Sequence, residues 1–314
     1  MPYEIPNIQY TGSIREVAVG AGPKAITIGG ASCFPFHLFE GKMPHPPRIA
    51  MEVYDAPPEE WPAAVLEPFA DVAGDPVAWA KKNVEAYGAE IVALQLSSID
   101  PNGLNRPPRE AADIARKVVE SVDVPVIIWG VGNHEKDAET LRIIAEECEG
   151  KNLALGPVEE GDYRQISAAA IGYRHTVIAS SPIDVNMAKQ LNILLGNLGV
   201  PAEKILIDPT TGPLGYGLEY TYSVMERDRI AALTQEDEKL QQPIICNVGI
   251  EVWKTKETKI AQEEDPKLGD EARRGILMEC VTAVCLLMAG ADLLILRHPE
   301  SVSRVKRFIE IMMR

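Results

Sequence analysis

The chain has 314 residues, with 31 Lys and Arg against 46 Asp and Glu for a net charge of −15, and 46% of its residues are apolar. That balance excludes a general nucleic-acid surface, because phosphate binding needs clustered cations. The apolar content excludes a disordered chain, and the length suits one (β/α) barrel, a fold that often runs past about 250 residues.

In chain order, the opening MPYEIPNIQY has no basic start followed by an apolar run, so no signal peptide is expected. Residues 1–48 then form an extension. REVAVG and KAITIGG flank a Gly-Pro turn, which predicts a hairpin that plugs the barrel floor or pairs with another chain. The barrel is expected over 49–314. Its eight strands read IAMEVYD (49–55), EIVALQL (90–96), VPVIIWG (124–130), NLALG (152–156), HTVIAS (175–180), KILID (204–208), PIICNVG (243–249) and ADLLILR (291–297). Continuous apolar runs of this kind belong to parallel strands covered on their outer face.

Helices separate the strands. Asp75 followed by Pro76 predicts an N-cap, with Val77, Ala80, Val84 and Tyr87 on one face. Met187, Leu191, Leu194, Leu195 and Leu198 form a second stripe that stops at Gly199, and Val302, Val305, Phe308, Ile309 and Met312 form a third. Between Glu279 and Asp292, the apolar Val281–Gly290 stretch is too short to cross a bilayer and reads as a core helix. Some twenty mostly polar residues after the seventh strand, IEVWKTKETKIAQEEDPKLGD, predict a lid, a docking loop or a solvated insert. Strand–helix alternation without a G-x-G-x-x-G after the first strand favours a closed (β/α)8 TIM barrel over a doubly wound sheet. Five scattered cysteines fit buried thiols in a reducing cytoplasm.

Barrels bind ligands where strands hand over to helices. Polar residues predicted there are Asp55, then Ser97, Ser98, Asp100 and Asn102, then Asn133 and His134, and finally Asn247, Arg297 and His298. The segment DPTTGPLGYG (208–217) is the most distinctive, with Asp208, the hydroxyls of Thr210 and Thr211, and three glycines that admit a large flat ligand. Each of these is also an ordinary turn former. Several chemistries are disfavoured: no strand core carries a Lys for a Schiff base, and no H-x-H, H-E-x-x-H, G-x-S-x-G or iron–sulfur Cys spacing occurs. The rim reads as a binding surface of amides, hydroxyls and backbone, with no catalytic residue and no metal ligand expected.

The segments LQLSSIDPNGLN, IIWGVGNHEKDAE, VIASSPIDVNMAKQLN, ILIDPTTGPLGYGLEYTYSVMERDRIAAL and LILRHPES resemble a known family. It is that of the small subunit of the corrinoid iron–sulfur protein, the delta subunit of the acetyl-CoA decarbonylase/synthase complex of methanogens. The likeness covers nearly the whole chain. It implies a cytoplasmic methyl carrier of the reductive acetyl-CoA (Wood–Ljungdahl) pathway rather than an enzyme in its own right. A methyltetrahydrofolate methyltransferase would supply the methyl group, and acetyl-CoA synthase/CO dehydrogenase would receive it. It further implies a heterodimer in which the large subunit alone carries the [4Fe–4S] cluster and this chain forms one wall of a shared corrinoid site. Asn102, Asn133, His134, Thr210, Thr211, Gly212, Asn247, Arg297 and His298 are then expected near the corrin, as part of a neutral rim. The main alternative is a pterin-binding methyltransferase barrel, since Asp208 and Asn247 stand where such barrels place an Asp and an Asn. The second strand, ALQLSS, lacks the acidic residue those barrels also carry. A sugar-phosphate barrel enzyme ranks last, because NVG and LRHPE do not form a glycine-rich phosphate site.

Overall fold

A computed structural model describes residues 7–59 and 61–314. The first six residues, part of the opening segment read for a leader, lie outside them.

Strands β1 (Glu16–Val19) and β2 (Ile26–Gly29) pair antiparallel. Then come β3 (Arg48–Tyr54), α1 (Ala63–Leu66), α2 (Pro76–Glu85), β4 (Ile91–Gln95), α3 (Pro108–Ser121), β5 (Val126–Trp129), α4 (His134–Glu147) and β6 (Ala154–Val158). The chain continues through α5 (Tyr163–Tyr173), β7 (Thr176–Ser180), α6 (Val185–Leu198), β8 (Ile205–Asp208) and α7 (Leu218–Thr234). It ends with β9 (Ile244–Asn247), α8 (Val248–Trp253), α9 (Glu271–Ala289), β10 (Ala291–Leu296) and α10 (Pro299–Met312). Strands β3 to β10 form a closed parallel barrel in which β10 bonds to both β9 and β3. The expected (β/α)8 barrel with an N-terminal hairpin is what the chain forms.

Successive strand residues alternate between the two faces of the barrel wall. One set faces outward: Met51, Val53, Val92, Leu94, Val126, Ile128, Leu294 and Leu296 pack beneath the helices. The other set, Ala50, Ile91, Ala93, Ile127, Ile178, Leu206, Ile245, Leu293 and Ile295, fills the barrel interior together with Val17, Val19 and Ile28 of the hairpin. The hairpin therefore closes the bottom of the barrel, one of the two roles expected for it. At its end, Gly29 has φ +86°, and a Cβ there would lie 2.1 Å from the Arg15 carbonyl oxygen, so only glycine fits.

Local signals explain most helix starts. Asp75 accepts from Val77 N and Ala78 N ahead of α2, and Asp184 and Asp270 do the same for α6 and α9. One expectation is corrected, and one holds in part. On α6 the buried face is Ala188, Leu191, Asn192 and Leu195, whereas Met187 and Leu198 are exposed. The apolar period identified the right helix and set its face too wide. In the segment after the seventh strand only the first four residues are α-helical, and 259–270 stay unburied in turns, as a surface loop would. The segment opens as α8, with Val252 and Trp253 buried, and Thr255 and Thr258 are buried behind it. The apolar V-x-x-x-V-W spacing, hidden among charges, docks this segment against α9.

Candidate functional site

Toward the C-terminal ends of the strands, the inward-facing positions change character. Ala50 is followed by Glu52 and Tyr54, Ala93 by Gln95, Ile178 by Ser180, Leu206 by Asp208, Ile245 by Asn247, and Ile295 by Arg297. All seven of these polar groups are buried. A cavity of about 400 Å³ opens above them, lined by Tyr54, Gln95, Trp129, Ser180, Asp208, Thr210, Thr211, Asn247 and the rim residues Glu159, Glu251 and Lys254.

A buried ion pair lies at the base of this layer. Arg297 Nε sits 2.5 Å from Glu52 Oε2, and its Nη2 donates to Tyr54 Oη at 2.7 Å. The guanidinium also stacks 4.1 Å from the centroid of the Trp61 ring. Burial works against the Arg297 charge, but the oxygens of Glu52 and Tyr54 outweigh it and hold its pKa above the ordinary value. The network then runs inward. Gln95 Nε2 donates to Glu52 Oε1 at 3.0 Å and to Asn247 Oδ1 at 3.3 Å. With both nitrogen contacts used, Gln95 Oε1 and Asn247 Nδ2 are left buried without a partner, and Thr211 Oγ1 has no oxygen or nitrogen partner either. All three atoms belong to residues that line the cavity and lie beneath its accessible surface. Above the pair, α8 approaches so closely that a Cβ on Gly249 would lie 2.8 Å from Glu52 Oε2.

Asp208 stands on the opposite wall. It accepts from Ser180 Oγ at 2.8 Å and from Thr210 N at 3.1 Å. Burial, reinforced by Glu251 and Glu159, pushes its carboxyl up to about 7 despite these bonds. Thr210 has φ +63°, a strained conformation for a β-branched residue. Its hydroxyl donates to Ser181 O at 2.7 Å, and its carbonyl accepts from Thr221 Oγ1 at 3.0 Å, which locks the turn beside Asp208. The third wall, Gly130–Gly132, is held by Asp137 of α4, which accepts from Val131 N and Gly132 N; burial raises that carboxyl to about 6.

Of the nine residues singled out in the sequence, Thr210, Thr211 and Asn247 line the cavity. Gly212 lies just behind it, packed so tightly on Gly217 that a Cβ would come within 2.7 Å of Gly217 C. Arg297 is buried and meets the cavity only through the side chains it holds, Tyr54 directly and Gln95 by way of Glu52. The other four are elsewhere. Asn102 is exposed in an Asp100 turn, Asn133 caps α4, and His298 caps α10 by accepting from Glu300 N. His134 sits on an outer groove 3.1 Å from Asp162, whose hydrogen bond raises its pKa. The rim is charged, which corrects the neutral rim expected from the sequence: Glu159, Glu251 and Asp100 border it with Lys254 as the opposing charge. Ser180 belongs to the SSP that ends the fifth barrel strand, whereas Glu52, Tyr54, Gln95 and Trp129 escaped the sequence reading. Their signal was the every-second-residue polar substitution at the ends of strands that look continuously apolar. Among the described residues no cluster of His, Cys, Asp and Glu could hold a metal ion, and no helix is long and apolar enough to cross a membrane.

Comparison with known proteins places this site in context. The chain resembles solved dihydropteroate synthases, which support the fold alone. The enzyme from Xanthomonas albilineans with 4-aminobenzoic acid has TM-score 0.58 at 12% identity, covering 94% of this chain and 96% of that one. The Thermus thermophilus enzyme in complex with 6HMPPP has TM-score 0.55 at 17% identity, covering 95% and 98%. Sequence likeness goes further. The acetyl-CoA decarbonylase/synthase complex subunit delta of Methanopyrus kandleri is 37% identical over 309 residues, 96% of this chain and 76% of that protein. Its counterpart from Methanothermobacter thermautotrophicus is 36% identical over 307 residues, 97% and 77%. The family model for the CO dehydrogenase/acetyl-CoA synthase delta subunit matches residues 16–306. The chain therefore belongs to the delta-subunit family of CO dehydrogenase/acetyl-CoA synthase, proteins that work as parts of the acetyl-CoA decarbonylase/synthase complex.

Proposed function

We propose that this chain is the methyl-carrying small subunit of a corrinoid iron–sulfur heterodimer, with its barrel mouth forming one wall of the corrinoid site. The observation that carries this reading is the open cavity lined by amide and hydroxyl side chains at the barrel mouth, in a member of the delta-subunit family. A corrin is ringed by neutral carboxamide arms, and the amide and hydroxyl side chains of Gln95, Asn247, Thr210 and Thr211 fit such a ring. When bound, the corrinoid would supply a cobalt centre able to accept and release a methyl group. This chain's own residues would bind the edge of the ring, orient it through the ordered floor, and keep water from its face with Trp129 and Tyr54. The large subunit would hold the iron–sulfur cluster, with a methyltetrahydrofolate methyltransferase and acetyl-CoA synthase/CO dehydrogenase as the exchange partners. A reducing, cytoplasmic setting agrees with five unpaired thiols.

Co-expression with and without a cluster- and corrinoid-bearing partner tests the reading through the visible spectrum. The complex is expected to show corrin absorbance and bound cobalt, and the lone chain to be colourless. Turnover of methyltetrahydrofolate by the lone chain would overturn it.

That outcome would favour the second reading, a pterin-binding methyltransferase. Its support is the buried Asp208 facing the same cavity as Asn247. Against it, Gln95 rather than an acid occupies the end of the second barrel strand. Saturable micromolar binding of methyltetrahydrofolate to the purified chain would decide for it.

A further inference from the structure

The groove that holds His134 runs on from the mouth. Its inner part shares Glu159 and Ser180 with the mouth cavity and is walled further out by Ser181, Pro182, Met187 and Leu191. Its outer part shares His134, Glu160 and Gly161 with the inner one and broadens to about 920 Å³ between α4 and α5, with Leu194 of α6 at its edge. Mouth and groove are therefore one continuous depression.

The wall of this groove is preformed. Asp162 accepts from Glu159 N at 2.8 Å through one carboxylate oxygen and meets His134 Nδ1 at 3.1 Å with the other. Gly161 lies so close to the imidazole that a Cβ there would come 2.9 Å from His134 Nε2. The turn carrying Glu159 and Glu160 is thus tied to α4, and a surface fixed in advance loses little freedom when a partner arrives.

Five carboxylates line the groove, those of Glu135, Glu139, Glu159, Glu160 and Asp162, against Arg164 and, when protonated, His134. His134 is committed to Asp162 and Glu159. Among the described residues no cation pairs with Glu135, Glu139 or Glu160, and all three are exposed. At the mouth, Glu159, Glu251 and Asp100 outnumber Lys254, so the same sign of charge runs from one end of the depression to the other. Beside these acids Met187 is 41% exposed, and Ile183, just before α6, is 40% exposed. A second copy of this chain, at net charge −15, would meet that field with like charge. A segment bearing Lys or Arg, with an apolar side chain to set against Met187, meets it with opposite charge.

We infer that the groove leading from the mouth past α4, α5 and α6 is the docking track for a basic, apolar-anchored segment of the subunit that covers the mouth. The inference rests on the proposed corrinoid wall, because it takes its partner to be the large subunit sharing that site.

The test uses this chain and its cluster- and corrinoid-bearing partner, co-expressed, with the dissociation constant of the complex measured at about 0.1 M and about 0.5 M salt. Glu135→Lys, Glu139→Lys and Glu160→Lys are introduced together; the sites are exposed, so the lone variant should melt as the wild type does. At the lower salt the complex should weaken at least about tenfold, and the loss should shrink at the higher salt. Met187→Asn should weaken it about threefold at both. The control is an equal reversal at the far end of the barrel, Glu85→Lys, Asp123→Lys and Glu203→Lys, which should change affinity by less than about twofold. Unchanged affinity in the groove variants, or an equal loss from the control, would overturn the track and leave the corrinoid wall standing. A wild-type chain that forms no complex with that partner would overturn both.

Discussion

The two ends of the barrel are built from similar residue types and finish in opposite states. At the bottom, Asn152 donates to Ala18 O and Gly20 O and accepts from Thr176 Oγ1 and Lys204 Nζ, so its side chain is fully committed. Arg229 pairs with Asp292, whose carboxylate also receives Ile244 N at 2.8 Å. Val17, Val19 and Ile28 of the hairpin fill the barrel interior at this end. At the mouth, the same kinds of amide and ion pair leave Gln95 Oε1, Asn247 Nδ2 and Thr211 Oγ1 without partners. The contrast teaches where stability has been left incomplete. Asn152 ties the hairpin to the floor at one end, while at the other a cavity stays open above a layer of buried polar side chains.

That contrast can be broken from either side. The largest effect is expected at Glu52→Gln, which strands Arg297 as a buried charge and should cost about 3–5 kcal/mol in chemical denaturation. Pairing it with Arg297→Met should recover most of the loss. A cost below about 1 kcal/mol for the single variant would show that the ion pair does not organise the mouth.

Asn152→Ala attacks the sealed end. It orphans two carbonyls, the Thr176 hydroxyl and a lysine, and should lower stability by about 2–3 kcal/mol while leaving ligand binding at the mouth unchanged. Weakened binding there would mean that the two ends are coupled and the comparison is too simple.

The smallest expected effect concerns Asp208. Its folded pKa, about 7, lies above the ordinary 3.8, so the folded state holds this proton more tightly than the unfolded chain does. The stabilisation it contributes is complete below about pH 4 and is lost as pH rises through 7. Asp137 and Asp228, raised by burial to about 6 and about 7, run in the same direction, so the test is the difference between wild type and Asp208→Asn. That difference should be near zero at pH 4 and reach on the order of 2 kcal/mol in favour of the variant at pH 8. A gap independent of pH would mean that Asp208 ionises normally.

Much of the architecture could be read without coordinates, because strand and helix periods are local properties. The eight apolar runs, the Asp75–Pro76 start and the REVAVG/KAITIGG hairpin all report interactions between residues close in the chain. Thr210, Thr211 and Asn247 were legible as site residues because they follow strand ends, where barrels place their ligands. The same rule also selected Asn102, whose backbone N–H closes a turn on the Asp100 carboxylate, and Asn133 and His298, whose side chains cap helices. A residue type suited to ligands is equally suited to capping, and position after a strand cannot separate the two uses.

The amino-acid order by itself therefore determined the alternation of strands and helices, the closed parallel wall and the handover points that carry polar residues. Tertiary structure alone decided which of those residues converge. Glu52, Gln95 and Asn247 come from three strands and Arg297 from just past the end of a fourth, as far as 245 residues apart in the chain, and only closure of the barrel brings their side chains into one network. Which polar atoms are satisfied and which are left waiting is a property of that convergence, since a hydrogen bond depends on distances that no local period encodes.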